Sequence, residues 1–218
     1  MDVDYSKIRQ YKDRIRIFFI IYFFSENYCG IEHHKCCRVL HTELKIQKLD
    51  FLLRNPDYLA YELIELCKTK NIDKLEIKSI VKEIFNQKEP EIRRLEMEKF
   101  FFGAYEDIDQ VIAFLVTVGF IEHVSVRDNQ MRSIKKSYYI TKEADIKMQD
   151  NLRNMEVLSW YVKRCKLIHK YFGDYSGTAL KVLQYEIDEY KNTSYREYIN
   201  DIQEQVKQNY FEEFGEKL

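Results

Sequence analysis

Asp107–Thr141 reads DIDQVIAFLVTVGFIEHVSVRDNQMRSIKKSYYIT. From Asp107 to Val118 the apolar residues Val111, Ile112, Leu115 and Val118 share one side of a helix. Gly119 follows as a C-terminal glycine. Phe120–Val126 alternates apolar and polar residues, as a half-buried strand does. Arg127–Lys136 is polar and suits a hairpin tip, Ser137–Ile140 the return strand, and Thr141 the N-cap of a new helix. Asp145 stands too late for an ideal capping box. Helix, strand, hairpin, strand and helix in this order predict a winged helix.

Outward from this stretch the pattern is helical. Tyr5–Phe24 suits one helix, with Ile8, Tyr11, Ile15, Phe18, Phe19 and Tyr22 at three- and four-residue steps. A turn at 27–30 precedes a second helix through Leu40, Leu44, Leu49 and Leu52 that stops before Asn55. Pro56 suits the first turn of a third helix carrying Leu59, Leu63, Ile64 and Leu66. A fourth runs from Lys74 to Asn86. Glu91–Tyr105 reads as extended chain, with a helix left open for its first half. Lys142 to Tyr171 makes one or two helices, Phe172–Thr178 breaks them, and Ser176 or Thr178 caps the next. Tyr195–Phe214 suits a last, charged amphipathic helix. The fold class is therefore mainly α with a small β-hairpin wing, an α+β winged-helix core with flanking helices. An N-terminal helical region covers 1–90, the winged element 91–141 and a C-terminal helical region 142–218, read as one compact body.

Composition agrees. Only 6 Gly and 2 Pro occur in 218 residues, too few for a sandwich or barrel rich in turns. With 35 basic against 36 acidic residues, no global charge draws the chain to nucleic acid or an acidic membrane. The run Ile17–Phe24 follows Lys12, Arg14 and Arg16 as in a signal peptide, but it is too short to span a bilayer and lacks a small-residue cleavage site. Five cysteines without an export signal point to free thiols and a cytoplasmic setting. Nucleophile elbows, Walker sequences and His-Glu-x-x-His are absent, so neither an enzyme nor a bound cofactor is expected.

Four phrases resemble a known family: Leu49–Pro56 (LDFLLRNP), Glu98–Tyr105 (EKFFFGAY), Gly119-Phe-Ile with Tyr139-Ile-Thr141, and Phe172–Lys181 (FGDYSGTALK). In order and spacing they are similar to the middle component of ABC-three-component systems, which include the Lamassu-type bacterial defence operons. The likeness runs from Phe18 to Lys181. The chain departs from it at Asn55, where an aromatic or small residue is expected, and after Asn192. The resemblance implies an accessory subunit that bridges an SMC-like ATPase subunit and an effector subunit, often a nuclease, in anti-phage or anti-plasmid immunity. A weak or indirect contact with double-stranded DNA is compatible with it, and membrane attachment is not expected.

Three groups of residues are candidate sites. Phe100, Phe101, Phe102 and Tyr105 crowd around Gly103, and alternation along a strand turns these rings to opposite sides, half into the core and at least one toward solvent or a partner chain. Arg54 joins these interface candidates through the resemblance, while Asp50 one turn earlier also suits it as an i,i+4 partner. Arg127, Arg132, Lys135 and Lys136 at the hairpin tip are DNA-contact candidates, or simply a solvated hairpin. The preceding helix is acidic and then apolar, a poor fit to a phosphate-lined groove, which argues against the alternative of a winged-helix transcriptional regulator. Cys29, His33, His34, Cys36, Cys37 and His41 include zinc-ligand types. Cys29, His33, Cys37 and His41 are the candidates, with Cys37 and His41 on one helical face, but the spacing fits no standard finger and buried thiols serve equally as small hydrophobes. Gly173, Ser176, Gly177 and Thr178 look like a phosphate-binding turn without its Lys-Ser/Thr ending, which favours a helix cap.

Overall fold

A computed structural model describes residues 5–70, 72–86, 96–101, 103–130 and 133–218. It is mainly helical, with a four-stranded antiparallel sheet and a two-stranded hairpin. The chain divides into two compact units, Met1–Asp50 with Asp107–Thr178 (unit 1) and Phe51–Glu106 with Ala179–Leu218 (unit 2).

Unit 1 contains the stretch that opened the sequence reading. Its elements are α1 (Tyr5–Phe23), β1 (Glu26–Asn27), β2 (Cys36–His41), the first part of α2 (Glu43–Arg54), α5 (Asp109–Thr117), β5 (Ile121–Arg127), β6 (Ser133–Thr141), α6 (Lys142–Asp150), two short 3-10 turns and α7 (Ser159–Phe172). Gly119 ends α5 at φ +73, a left-handed conformation that favours glycine. Thr141 Oγ1 accepts from the Ala144 N–H at 3.2 Å, so the expected N-cap is made. The sheet runs β1-β2-β6-β5, with Val39 opposite Tyr139 and Ile121 opposite Ile140.

Several local expectations are corrected. Leu40 lies in β2 and not in the second helix, because Cys36–His41 pairs with β6. The return strand begins at Ser133, so Val126 faces Lys135 and Ser125 faces Lys136 inside the ladder. Helix α5 ends one residue before Val118, whose side chain is exposed and not on the apolar side. The last helix starts at Gln203 and not at Tyr195.

The apolar run of α1 is the centre of unit 1. Ile17, Phe18, Phe19, Ile20 and Ile21 are all buried, and the Phe18 ring meets Phe120 at 5.1 Å. Burying one such side chain contributes about 1.5–3 kcal/mol, so this helix is the main apolar investment of the unit. The residue just before this run, Arg16, is buried as well. Its Nε donates to Asp50 Oδ1 at 2.6 Å and its Nη1 to Asp13 Oδ1 at 2.5 Å. Burial works against the guanidinium charge, but Asp50 and then Asp13 outweigh it and raise its pKa.

Unit 2 comprises the end of α2, α3 (Pro56–Thr69), α4 (Lys74–Asn86), β3 (Glu98–Phe100), β4 (Gly103–Tyr105), most of α8 (Gly177–Glu186), α9 (Asp188–Asn192) and α10 (Gln203–Phe214). Pro56 takes the first position of α3, where its missing N–H costs nothing. Phe51, Tyr58 and Tyr190 form an edge-to-face cluster, with centroids 4.8 Å apart for the first two and 5.1 Å for Phe51 and Tyr190. Asp57 Oδ2 accepts from the Ile202 N–H at 2.8 Å, and the Tyr58 hydroxyl donates to the Asn200 carbonyl at 2.9 Å. These bonds fix the irregular segment ahead of α10.

Candidate functional site

The extended reading of 96–105 resolves into a hairpin, Glu98–Phe100 against Gly103–Tyr105. Residues 91–95 of that prediction lie outside the described residues. The hairpin is widened by an unforeseen third segment. The Lys99 N–H donates to the Glu197 carbonyl at 3.0 Å, Arg196 N–H to the Lys99 carbonyl at 2.7 Å, and Ile199 N–H to the Met97 carbonyl at 3.1 Å. Backbone polar groups are thereby paired on both sides of β3.

Strand alternation then separates Lys99 from its neighbours. The Lys99 side chain turns inward and is buried. Its ammonium donates to the carbonyls of Tyr190, Lys191 and Thr193 at 2.7, 2.6 and 2.8 Å, which fills all three of its donors at the C-terminus of α9. Burial lowers the Lys99 pKa. A cation at a helix C-terminus opposes the macrodipole, and here it also satisfies the last carbonyls. No local motif announces this role, since Lys99 only looks like one charge among aromatics.

On the outer side stands an aromatic surface. The Phe100 ring lies 5.5 Å from Tyr105 and 5.6 Å from Tyr195, and Phe101 lies 4.7 Å from Tyr195. Phe101 is 79% exposed, Tyr198 55% and Tyr195 47%. The Arg196 guanidinium sits 5.3 Å from the Tyr195 ring centre. Phe100, Phe101 and Tyr105 are thus gathered as the sequence suggested, and Phe102 lies outside the described residues. Tyr195, Arg196 and Tyr198 were missed, because they come from a distant segment read as helix.

Arg54 is placed differently from the other interface candidates. It is 2% exposed, its Nη1 pairs with Glu106 Oε2, and its Nη2 donates to the Glu96 carbonyl at 2.6 Å. Its guanidinium therefore serves the interior of unit 2, and a surface role for it is corrected on that ground. Asp50, one turn before Arg54, is buried and accepts from Arg16 Nε at 2.6 Å.

The hairpin cations of unit 1 also divide. Arg127 and Lys135 are exposed, whereas Arg132 lies outside the described residues. Lys136 is half-buried; its ammonium pairs with Glu43 Oε2 and stands 3.6 Å from Asp109 Oδ1. Two acids thus face the one cation, and Tyr138 adds a hydroxyl 3.3 Å from Glu43 Oε2.

The zinc candidates are not brought together. Cys37 and His41 lie on strand β2, where four residues span about 13 Å, against about 4 Å between two ligands of one ion. His33 Nδ1 lies 2.6 Å from Glu122 Oε2 with its ring stacked on Tyr139 at 4.0 Å, and His41 Nδ1 lies 2.9 Å from Ser137 Oγ. All five cysteines are free thiols, Cys29 exposed and Cys36 buried. Burial, then Glu122, pushes the Cys36 thiol up to about 12, far from a thiolate ligand. Among the described residues no group of three or more His, Cys, Asp or Glu is placed to hold a metal ion.

No helix among the described residues is long and apolar enough to cross a membrane. No family model, no curated protein and no solved structure matches this chain.

Proposed function

We propose that this chain is a non-enzymatic accessory subunit that docks onto partner proteins through the aromatic surface of unit 2. The observation that carries the reading is the exposure of Phe101, Tyr195 and Tyr198 beside Arg196, on a segment pinned from below by Lys99. Aromatic residues and arginine are enriched at interface hot spots, and a rigid support lowers the entropy lost on docking. The four phrases that resemble the middle component of ABC-three-component, Lamassu-type systems name the partners. They are an SMC-like ATPase subunit and an effector, with the complex serving anti-phage or anti-plasmid defence in the cytoplasm. In this reading α5, β5, β6 and α6 form a winged helix, with β5 and β6 as the wing.

The runner-up is a winged-helix regulator that binds duplex DNA. Arg127 and Lys135 favour it, but Lys136 faces Glu43 and Asp109, and Asp109 opens the helix that would enter the groove. Phosphate neutralisation needs unpaired cations, so the docking reading is preferred.

Co-expression with the ATPase and effector subunits tests both. Capture of the ATPase that survives high salt and falls at least tenfold in a Phe101→Ser, Tyr195→Ser double variant, with the melting temperature retained, is the expected result. Recovery of duplex DNA alone, lost as salt rises and abolished by Arg127→Glu with Lys135→Glu, would establish the regulator instead.

A further inference from the structure

The turn Phe172–Thr178, which the docking reading leaves without a task, borders a cleft of about 660 Å³ in unit 1. That volume lies in the range of small-molecule sites. Phe24, Val39, Leu40 and Leu44 supply an apolar floor, and Lys45, His41 and His169 bring nitrogen groups to the wall. Two helices start at its edge. A side-chain carbon added to Gly177, the first residue of α8, would lie 2.7 Å from the Lys45 backbone nitrogen and 3.1 Å from the Leu44 carbonyl carbon. Glycine therefore lets the start of α8 rest directly on the first turn of α2. Thr42, ahead of α2, holds φ +69, which a β-branched residue rarely adopts.

The polar groups sort by charge. The Lys45 ammonium donates to the Gly173 carbonyl at 2.8 Å, which leaves it two further N–H donors. Burial lowers its pKa, while Asp174 and Glu26 act in the opposite direction. Ser176 and Thr178 add hydroxyls beside the start of α8, and His41 Nε2 stands 3.7 Å from Glu26 Oε1. A bare anion gains from Lys45 and the start of α8 but is repelled by Glu26 and Asp174. A ligand that also carries hydroxyl groups turns those two carboxylates into hydrogen-bond acceptors, and a ring covers the floor.

We infer that this cleft binds a small organic phosphate, a phosphomonoester on a hydroxylated ring, with the phosphate at Lys45, Ser176 and Thr178. A nucleoside monophosphate and a sugar phosphate share this chemistry. The site is independent of the docking surface, so its test does not depend on the partner subunits.

Isothermal titration of the full chain with AMP, ribose 5-phosphate, adenosine and inorganic phosphate decides it. Binding of AMP or ribose 5-phosphate with Kd below about 1 mM is expected, with adenosine and inorganic phosphate at least about tenfold weaker. Preference for AMP over ribose 5-phosphate identifies the nucleotide, and equal affinity the sugar phosphate. Lys45→Met should weaken binding at least tenfold, and Thr178→Val, on an exposed residue, gives a second variant should the first fail to fold. No binding of either phosphomonoester, equal affinity for AMP and adenosine, or affinity indifferent to both substitutions would overturn the inference.

Discussion

The carboxyl of Glu62 lies inside unit 2 on α3, 4% exposed, and its Oε1 has no hydrogen-bond partner. Burial, then the nearby carboxylates of Glu186 and Glu65, push its pKa up from 4.5 to about 8. The folded chain therefore holds a proton on Glu62 at neutral pH that the unfolded chain has released. Between pH 4.5 and about 8 the folded state binds more protons, so stability is highest at the acid end of this window and falls as pH rises through it. At about 1.4 kcal/mol per pH unit the loss is roughly 3 kcal/mol at pH 7 and levels off near 5 kcal/mol above pH 8. Glu62→Gln keeps the shape of the side chain and removes the ionisation. It should leave stability at pH 5 within about 1 kcal/mol of the parent and raise it by about 3 kcal/mol at pH 7. Urea unfolding followed by far-ultraviolet circular dichroism at pH 5, 6, 7 and 8 measures this, since the single tryptophan, Trp160, belongs to unit 1. Parallel pH profiles for parent and variant would refute the reasoning, because they would mean that Glu62 ionises without unfolding.

Lys99→Met strips three carbonyls of their donor and should cost about 2–3 kcal/mol, with cleavage near 190–199 by added protease rising accordingly. Asp50→Asn removes the carboxylate that meets the buried Arg16 at 2.6 Å and should lower stability by about 3 kcal/mol in a denaturant titration; Arg16→Met combined with Asp50→Leu should recover most of that. Lys136→Glu places a third carboxylate beside Glu43 and Asp109, so it should lower the melting temperature whether or not DNA is bound, while Lys135→Glu should not.

Much of the chain was legible because its signals are local. Periodicity marked α1, α3 and α4, Pro56 marked the start of α3, Gly119 the end of α5 and Thr141 the start of α6. Strand β2 was hidden because Cys36–His41 pairs with β6, a residue range nearly a hundred positions away, and neither its Cys nor its His residues advertise extended chain. The third segment of the aromatic surface was hidden for the same reason: Tyr195–Ile199 has a helical composition, but a turn with Arg196 at φ +66 and hydrogen bonds to Met97 and Lys99 hold it as irregular chain. The aromatic residues Phe100, Phe101 and Tyr105 could be proposed from sequence, but which of them faces outward depended on Lys99 turning in. The cleft at Lys45 and Gly177 joins residues more than a hundred positions apart, so no spacing rule could announce it.

Each unit is assembled from two separated stretches of chain, and this dictates an order of events during synthesis. At about 5–20 residues per second the ribosome delivers Ile17–Phe24 several seconds before β5, β6 and α7 exist to cover it. For that interval the most apolar run in the protein is without its native neighbours. A nascent chain halted at Glu106 has completed neither unit, so cutting the gene at any single point cannot yield a half that folds as one of them. Because the two units alternate along the chain, which rules out circular permutation, dissecting them will instead require splicing that joins Asp50 to Asp107.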